Sequence, residues 1–232
     1  MKIALLILTL LFITSCEQKK PVEEIKVKKP QTISVQEKKR RFRELLVPAV
    51  NEAYLELSNE YKKVSILIKT DEHNKKLENL RTKYKVQTNT ELLTAIKPHP
   101  KSIALAQAAL ESAWGTSRFF KEANNVFGVW SFNKNEPRIA AGEKRGDKTI
   151  WLKKYISIKD SVKDYYLTLA KGRAFKEFRE LKISTDNPYE LVLKLDKYSE
   201  KGEEYANELT SVISYNKFNL YDEHQFERNS SF

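Results

Sequence analysis

The chain has 232 residues, 41% of them hydrophobic, with only six glycines and seven prolines. That composition supports a packed core and excludes a collagenous or low-complexity chain. Its 42 basic and 31 acidic side chains leave a formal charge of +11, which favours polyanionic partners or, more simply, a solvated lysine-rich surface; no glycine- or aromatic-rich nucleic-acid motif accompanies the lysines, so nucleic acid is not an expected partner.

Residues 1–15 read as an export leader, with Lys2 as the positive start and an apolar run from Ile3 to Ile13. The run is too short to span a bilayer. Ile13-Thr14-Ser15-Cys16 resembles a bacterial lipobox, and Cys16 is the chain's one cysteine. The reading is a lipid on Cys16 that anchors the protein to a membrane; the alternative is an ordinary secretory leader. One cysteine excludes an internal disulfide. Residues 16–39 carry Pro21, Pro30 and mixed Lys/Glu content and read as a flexible linker.

Residues 40–100 read as helices that pack on a core. Phe42, Leu45, Leu46, Ala49, Val50, Ala53, Leu57, Tyr61 and Val64 recur at intervals of three and four, with Pro48 expected to start or kink a helix. A second helix is predicted from about Asp71 to Tyr84. Thr88 and Glu91 have the spacing of a capping box that opens a short helix through Ile96.

Residues 101–216 hold the stretch that carries chemistry. Ile103, Ala106, Ala109, Leu110 and Ala113 predict a helix with one buried stripe and Gly115 as its stop. Glu111 stands near that helix end, beside Leu110 and just before Trp114. Partial desolvation raises such a carboxyl's pKa and keeps it protonated, as a glycosidase acid requires. The plainer role is a helix-end ion pair. Trp114 either packs beneath the helix or floors a sugar subsite. Asn124, Asn125 and Gly128 imply a tight turn, and Asn125 either makes that turn or binds an acetamido group. Short strands around Val129–Phe132 and Thr149–Ile156 predict a hairpin lobe. On it, Trp130, Trp151 and Tyr155 are candidates for sugar stacking or for packing within the lobe.

Helices follow. Ser157 is placed as a cap, Gly172 as a stop, Asn187-Pro188 as a further start, and a last strong helix runs from Gly202 to Tyr215. Residues 217–232 read as a tail. His73, His99 and His224 have no metal-ligand spacing, and no nucleophilic triad or phosphate loop is evident. A hydrolase without cofactor or metal is expected.

Ala108-Ala109-Leu110-Glu111-Ser112-Ala113-Trp114-Gly115, then Asn124-Asn125-Val126-Phe127-Gly128, then Lys197-Tyr198-Ser199-Glu200-Lys201-Gly202 together resemble the Bax-like bacterial glucosaminidases, endo-β-N-acetylglucosaminidases that cut peptidoglycan. The resemblance covers roughly the C-terminal 130 residues, in three separated motifs in the right order. It implies a mainly α (α+β) fold, a lysozyme-like helical domain with a small β-hairpin lobe, and a monomer acting on peptidoglycan glycan strands. It also implies Glu111 and Tyr198 as catalytic groups and Phe127 among the substrate-binding residues. One departure stands out. Aligning Lys148-Thr149 with the family's Thr-x-Glu context puts Trp151 where relatives place a second glutamate. Glu143 and Asp147 are nearby stand-ins, with solvated loop charges as the plainer reading. The alternative chemistry is substrate-assisted, with Glu111 as the one carboxyl. Rival readings are a lytic transglycosylase and a non-catalytic peptidoglycan-binding scaffold.

Overall fold

Helix α1 (Val35–Thr70) runs for 36 residues along the molecule. The computed structural model describes residues 33–71, 73–145 and 148–223, without the side chains of 143–145. Cys16, the leader, Asp147, the Glu143 side chain and His224 therefore lie outside the described residues. Ser34 caps α1 by accepting from the Glu37 amide at 3.2 Å, so residues 35–39, read as linker, are helical. Pro48 sits inside α1 rather than breaking it. Its ring lies on the exposed face while Leu46 and Val50 are fully buried on the other, so the lost amide bond falls where water can serve the carbonyl. Leu45, expected inward, is 50% exposed.

Two short helices follow, α2 (Lys75–Tyr84) and α3 (Asn89–Ile96). Asn74 caps α2, and Thr88 with Glu91 forms the expected capping box on α3. Leu77, Leu80, Tyr84, Leu92 and Ile96 close with Val64 of α1 into a small satellite core.

Helix α4 (Lys101–Glu111) is the centre of the larger core. Eight consecutive residues, Ser102 to Ala109, are buried, not one stripe alone. The alanines explain this, because a helix with short side chains on every face admits close neighbours all round. Those neighbours are α1, α9 (Glu203–Tyr215) and a 3-10 turn over Phe218–Tyr221. That turn corrects the tail reading. Phe218 is fully buried in the main core, and Asp222 accepts from the Ser102 amide at 2.8 Å at the start of α4.

Helix α5 (Arg118–Ala123) leads to the lobe, a two-stranded antiparallel hairpin of β1 (Arg138–Arg145) and β2 (Lys148–Lys153). Trp130 adds only an isolated bridge to Leu152, so the predicted strand around it is not a ladder. The chain closes through α6 (Ile158–Lys171), α7 (Lys176–Ser184), α8 (Pro188–Leu191) and α9, with Ser157, Gly172 and Asn187 at their predicted ends. Among the described residues no helix is long and apolar enough to cross a membrane.

Candidate active site

Glu111 is the last residue of α4. Beyond it the backbone turns left-handed for three residues, Ala113, Trp114 and Gly115, at φ of 50°, 59° and 73°. Two of these are not glycine, an arrangement that surrounding contacts must enforce. Ser112 supplies one, accepting from the Gly115 amide at 2.8 Å and donating to the Ala108 carbonyl at 2.6 Å. Trp114 supplies another. Its ring meets Phe42 edge-on at 5.2 Å, and the Lys39 ammonium lies 4.6 Å above it. Trp114 thus anchors the turn by packing.

Glu111 is an exposed residue, yet its carboxyl is partly desolvated by the protein around it. That desolvation holds its pKa above the usual carboxylate value. A hydrogen bond from Tyr205 and the field of Lys201 oppose the rise, and Glu208 adds to it. The Tyr205 hydroxyl donates to Glu111 Oε1 at 2.9 Å. Behind it, Gln107 Nε2 donates to the Tyr205 oxygen at 3.0 Å, and the Tyr165 hydroxyl donates to Gln107 Oε1. The result is a directed relay from α6 through α4 to α9 and back to Glu111. Gln107 is fully buried and Tyr205 and Tyr165 nearly so, which makes each of these bonds costly to lose.

Tyr198 stacks on Tyr205, with ring centroids 5.6 Å apart and planes 6° apart. Burial and the field of Glu111 push its hydroxyl pKa up, so it is a neutral phenol. Its hydroxyl has no hydrogen-bond partner among the described residues. The structure thus brings Glu111 and Tyr198 into one electrostatic neighbourhood and divides two tyrosine roles, Tyr205 bonded to the carboxyl and Tyr198 uncommitted.

Other sequence candidates have structural duties. Asn125 is 1% exposed. Its amide donates to the Val129 and Lys153 carbonyls at 3.0 and 2.8 Å, and its oxygen accepts from the Val129 amide at 2.9 Å. That corrects a role in holding substrate. Phe127 likewise is buried and stacked on Tyr165 at 4.0 Å, which removes it from the substrate face. The Tyr155 hydroxyl donates to Asp164 at 2.7 Å. Trp151 carries the Arg138 guanidinium 4.2 Å over its ring. Trp130 is 43% exposed and lies 6.1 Å from the ring of Phe132, itself 86% exposed; this pair is the aromatic surface of the lobe.

Residues 88–218 match the glucosaminidase family, described as mannosyl-glycoprotein endo-beta-N-acetylglucosaminidase. That span is more than half of the chain. The chain belongs to the glucosaminidase family. Protein bax of Escherichia coli strain K12 is 30% identical to it over 139 residues, 57% of this chain and 48% of that protein; the chain spans about half the length of this curated relative. Among solved structures, the catalytic domain of the autolysin Auto from Listeria monocytogenes aligns with a TM-score of 0.50 at 20% identity, over 83% of this chain and 92% of that one. An N-acetylmuramoyl-L-alanine amidase from Staphylococcus aureus aligns with a TM-score of 0.50 at 20% identity, over 81% of this chain and 44% of that one. The fold of this glucosaminidase-family chain is lysozyme-like, mainly helical with a small β-hairpin lobe.

Sequence reasoning missed Tyr205, Gln107, Tyr165 and Glu136. A glutamine four residues before Glu111, on an otherwise apolar alanine helix, was the available signal, because a buried amide needs partners. Glu136 precedes β1 and accepts from the Ser131 hydroxyl at 2.7 Å. Its field and that of Tyr198 both act on Tyr155.

Proposed function

We propose that this chain is a peptidoglycan hydrolase of the cell envelope that cuts the β-1,4 glycosidic bond after N-acetylglucosamine. The observation that carries the reading is Glu111, an exposed residue at a helix end whose carboxyl is made a weaker acid by desolvation and is oriented by the Tyr205 hydroxyl. Because Tyr205 donates to Oε1, the acid proton is left to Oε2. Glu111 gives that proton to the leaving sugar oxygen as the glycosidic bond breaks. The substrate's own acetamido oxygen bonds to the anomeric carbon, and water then opens that intermediate while returning a proton to Glu111. The uncommitted Tyr198 hydroxyl, beside Glu111, would orient the acetamide. The exposed pair Trp130 and Phe132 offers flat apolar faces to sugar rings. A lipid on Cys16 would hold the enzyme at the membrane beside its substrate.

The test uses the chain from Ile33, wild type and Glu111→Gln, with purified peptidoglycan and mass spectrometry of reduced fragments. N-acetylglucosamine reducing ends from the wild type alone are the expected result. Anhydro products, lighter by one water, would make the protein a lytic transglycosylase. Wall binding without fragments from either protein would replace the enzyme with a scaffold.

A further inference from the structure

Around Pro98 and His99, just before α4 begins and at the opposite end of that helix from Glu111, the structure holds a cavity of about 240 Å³ where the satellite core meets the main one. His99 and Lys182 both line it, and they are 1% and 3% exposed. The Lys182 ammonium donates to the Ala95 carbonyl at 3.2 Å and to the Lys97 carbonyl at a shorter distance. These two bonds tie α7 to the C-terminal end of α3, where a cation is favoured. They use two of its three donors. No carboxylate pairs with Lys182 among the described residues, and the nearest charges acting on it, Arg179 and Lys97, are of its own sign. A buried cation in that setting lacks the counter-charge that would offset its desolvation; burial pushes the Lys182 pKa down to about 7, and a carboxylate beside it would favour the charged form.

His99 has the complementary deficit. Its Nδ1 lies 3.0 Å from the Pro100 carbonyl, so Nδ1 carries the proton and Nε2 is left as an acceptor. That Nε2 is buried and has no partner among the described residues. The ring itself is fixed, stacked on Tyr166 at 4.3 Å and edge-on to Tyr165 and Phe178 at 5.5 and 5.4 Å. Burial and the field of Lys182 push the imidazole pKa down to about 3, which keeps it neutral. The same small cavity is therefore lined by a lysine with a spare donor and a histidine with a spare neutral acceptor, together with the apolar Leu169 and Ala170 and the carboxylates Glu60 and Asp164.

We propose that this cavity binds a small carboxylate bearing an N–H or O–H donor on its α-carbon, with the carboxylate on Lys182 and the donor on His99 Nε2. A charge-assisted bond answers the unpaired ammonium, and the α-substituent answers the unpaired imidazole nitrogen. The volume limits the occupant to a small molecule or the end of a chain, since pockets for drug-sized ligands are larger. An acylated amino acid and a hydroxy acid share this chemistry.

The experiment titrates the full chain with N-acetyl-D-alanine, D-lactate and acetate, following the His99 ring resonances by NMR. Either or both of the first two should shift them and bind at least about tenfold more tightly than acetate, which has no donor for His99. Which one binds identifies the source, a peptide end or a free hydroxy acid. Glu111→Gln should bind unchanged, which separates this site from the candidate active site. Lys182→Met should lose binding of all three. His99→Phe should reduce the donor-bearing ligands to the affinity of acetate. No shift of His99 in the wild type, equal affinity for acetate, or full binding by Lys182→Met would each overturn the assignment. The wild-type arm stands even if a variant does not fold.

Discussion

Tyr205 donates its hydroxyl proton to Glu111 Oε1 across 2.9 Å, and a residue on a different helix sets the direction of that bond. Tyr165 donates to Gln107 Oε1, which turns the Gln107 NH₂ toward Tyr205 and fills the acceptor side of its hydroxyl. With that lone pair occupied, the Tyr205 proton is directed to the carboxyl. Reversing the Gln107 amide would point an oxygen at Tyr205 and compete with Glu111 for the same proton. The acid is thus oriented by buried polar groups that need not touch substrate.

Tyr205→Phe should raise the pKa of Glu111 further, because the lost hydrogen bond acts to lower it. In the proposed mechanism the protonated carboxyl is the active form, so the high-pH limb of kcat/KM moves to higher pH. The loss of orientation lowers kcat on the order of tenfold to a hundredfold. Tyr165→Phe should shift the limb in the same direction by less, since it frees the Gln107 amide without removing the Tyr205 donor. A pH–rate profile of both variants checks this; an unmoved limb in Tyr205→Phe would reject the relay.

The same carboxyl gives stability a pH dependence. Its folded pKa lies above the ordinary 4.5, so the folded state holds the proton more tightly than the unfolded chain. That contribution is complete below about pH 4.5 and is lost as pH rises through the raised folded value. Glu111→Gln removes the slope. The variant should therefore gain stability relative to wild type as pH rises across that window, while losing activity by at least about a hundredfold. Urea unfolding of both proteins at several pH values measures it, and a difference that shrinks with rising pH would contradict the sign.

Asn125→Ala should destabilise the fold by about 2–4 kcal/mol, since three hydrogen bonds vanish and the carbonyls of Val129 and Lys153 lose a buried donor. Asn125→Asp should do at least as much harm, because an oxygen would then face those carbonyls. Urea midpoints decide the matter. A variant of wild-type stability with a raised KM would return Asn125 to the substrate face.

These cases divide along what a sequence can express locally. The Thr88–Glu91 capping box, the Ser157 cap and the Asn187-Pro188 start depend on residues within one turn of each other, so their spacing was enough. Glu111 stood out as a candidate because its motif is contiguous, and the place the structure gives it, at the end of a buried helix, is as local as that motif. The relay was not legible, since Gln107, Tyr165 and Tyr205 come from three helices and only the fold makes them neighbours. Pro48 starts no helix, for a related reason. Whether proline breaks a helix depends on which face it occupies, and α1 keeps it on the solvent side. Phe218 looked like tail because a short 3-10 turn has too few residues to show periodicity.

The left-handed turn after Glu111 yields a last prediction that separates backbone from packing. Gly115 has φ of +73°, and a Cβ there would lie 3.4 Å from the Phe120 ring, an ordinary contact. Space is therefore available, and Gly115→Ala should still lose about 1–2 kcal/mol because an L-residue is strained in this region. Ala113 and Trp114, the two residues before it, already bear that strain, so a third strained residue acts on a segment with little left to relax. Gly142 is the matched control. It has no positive φ and nothing within 4 Å of its would-be Cβ, so Gly142→Ala should be neutral or stabilising by up to about 1 kcal/mol. Paired urea denaturation reads both. Equal effects at the two positions would mean that Gly115 is replaceable, and that Ser112 and Trp114 alone hold the end of α4 in place.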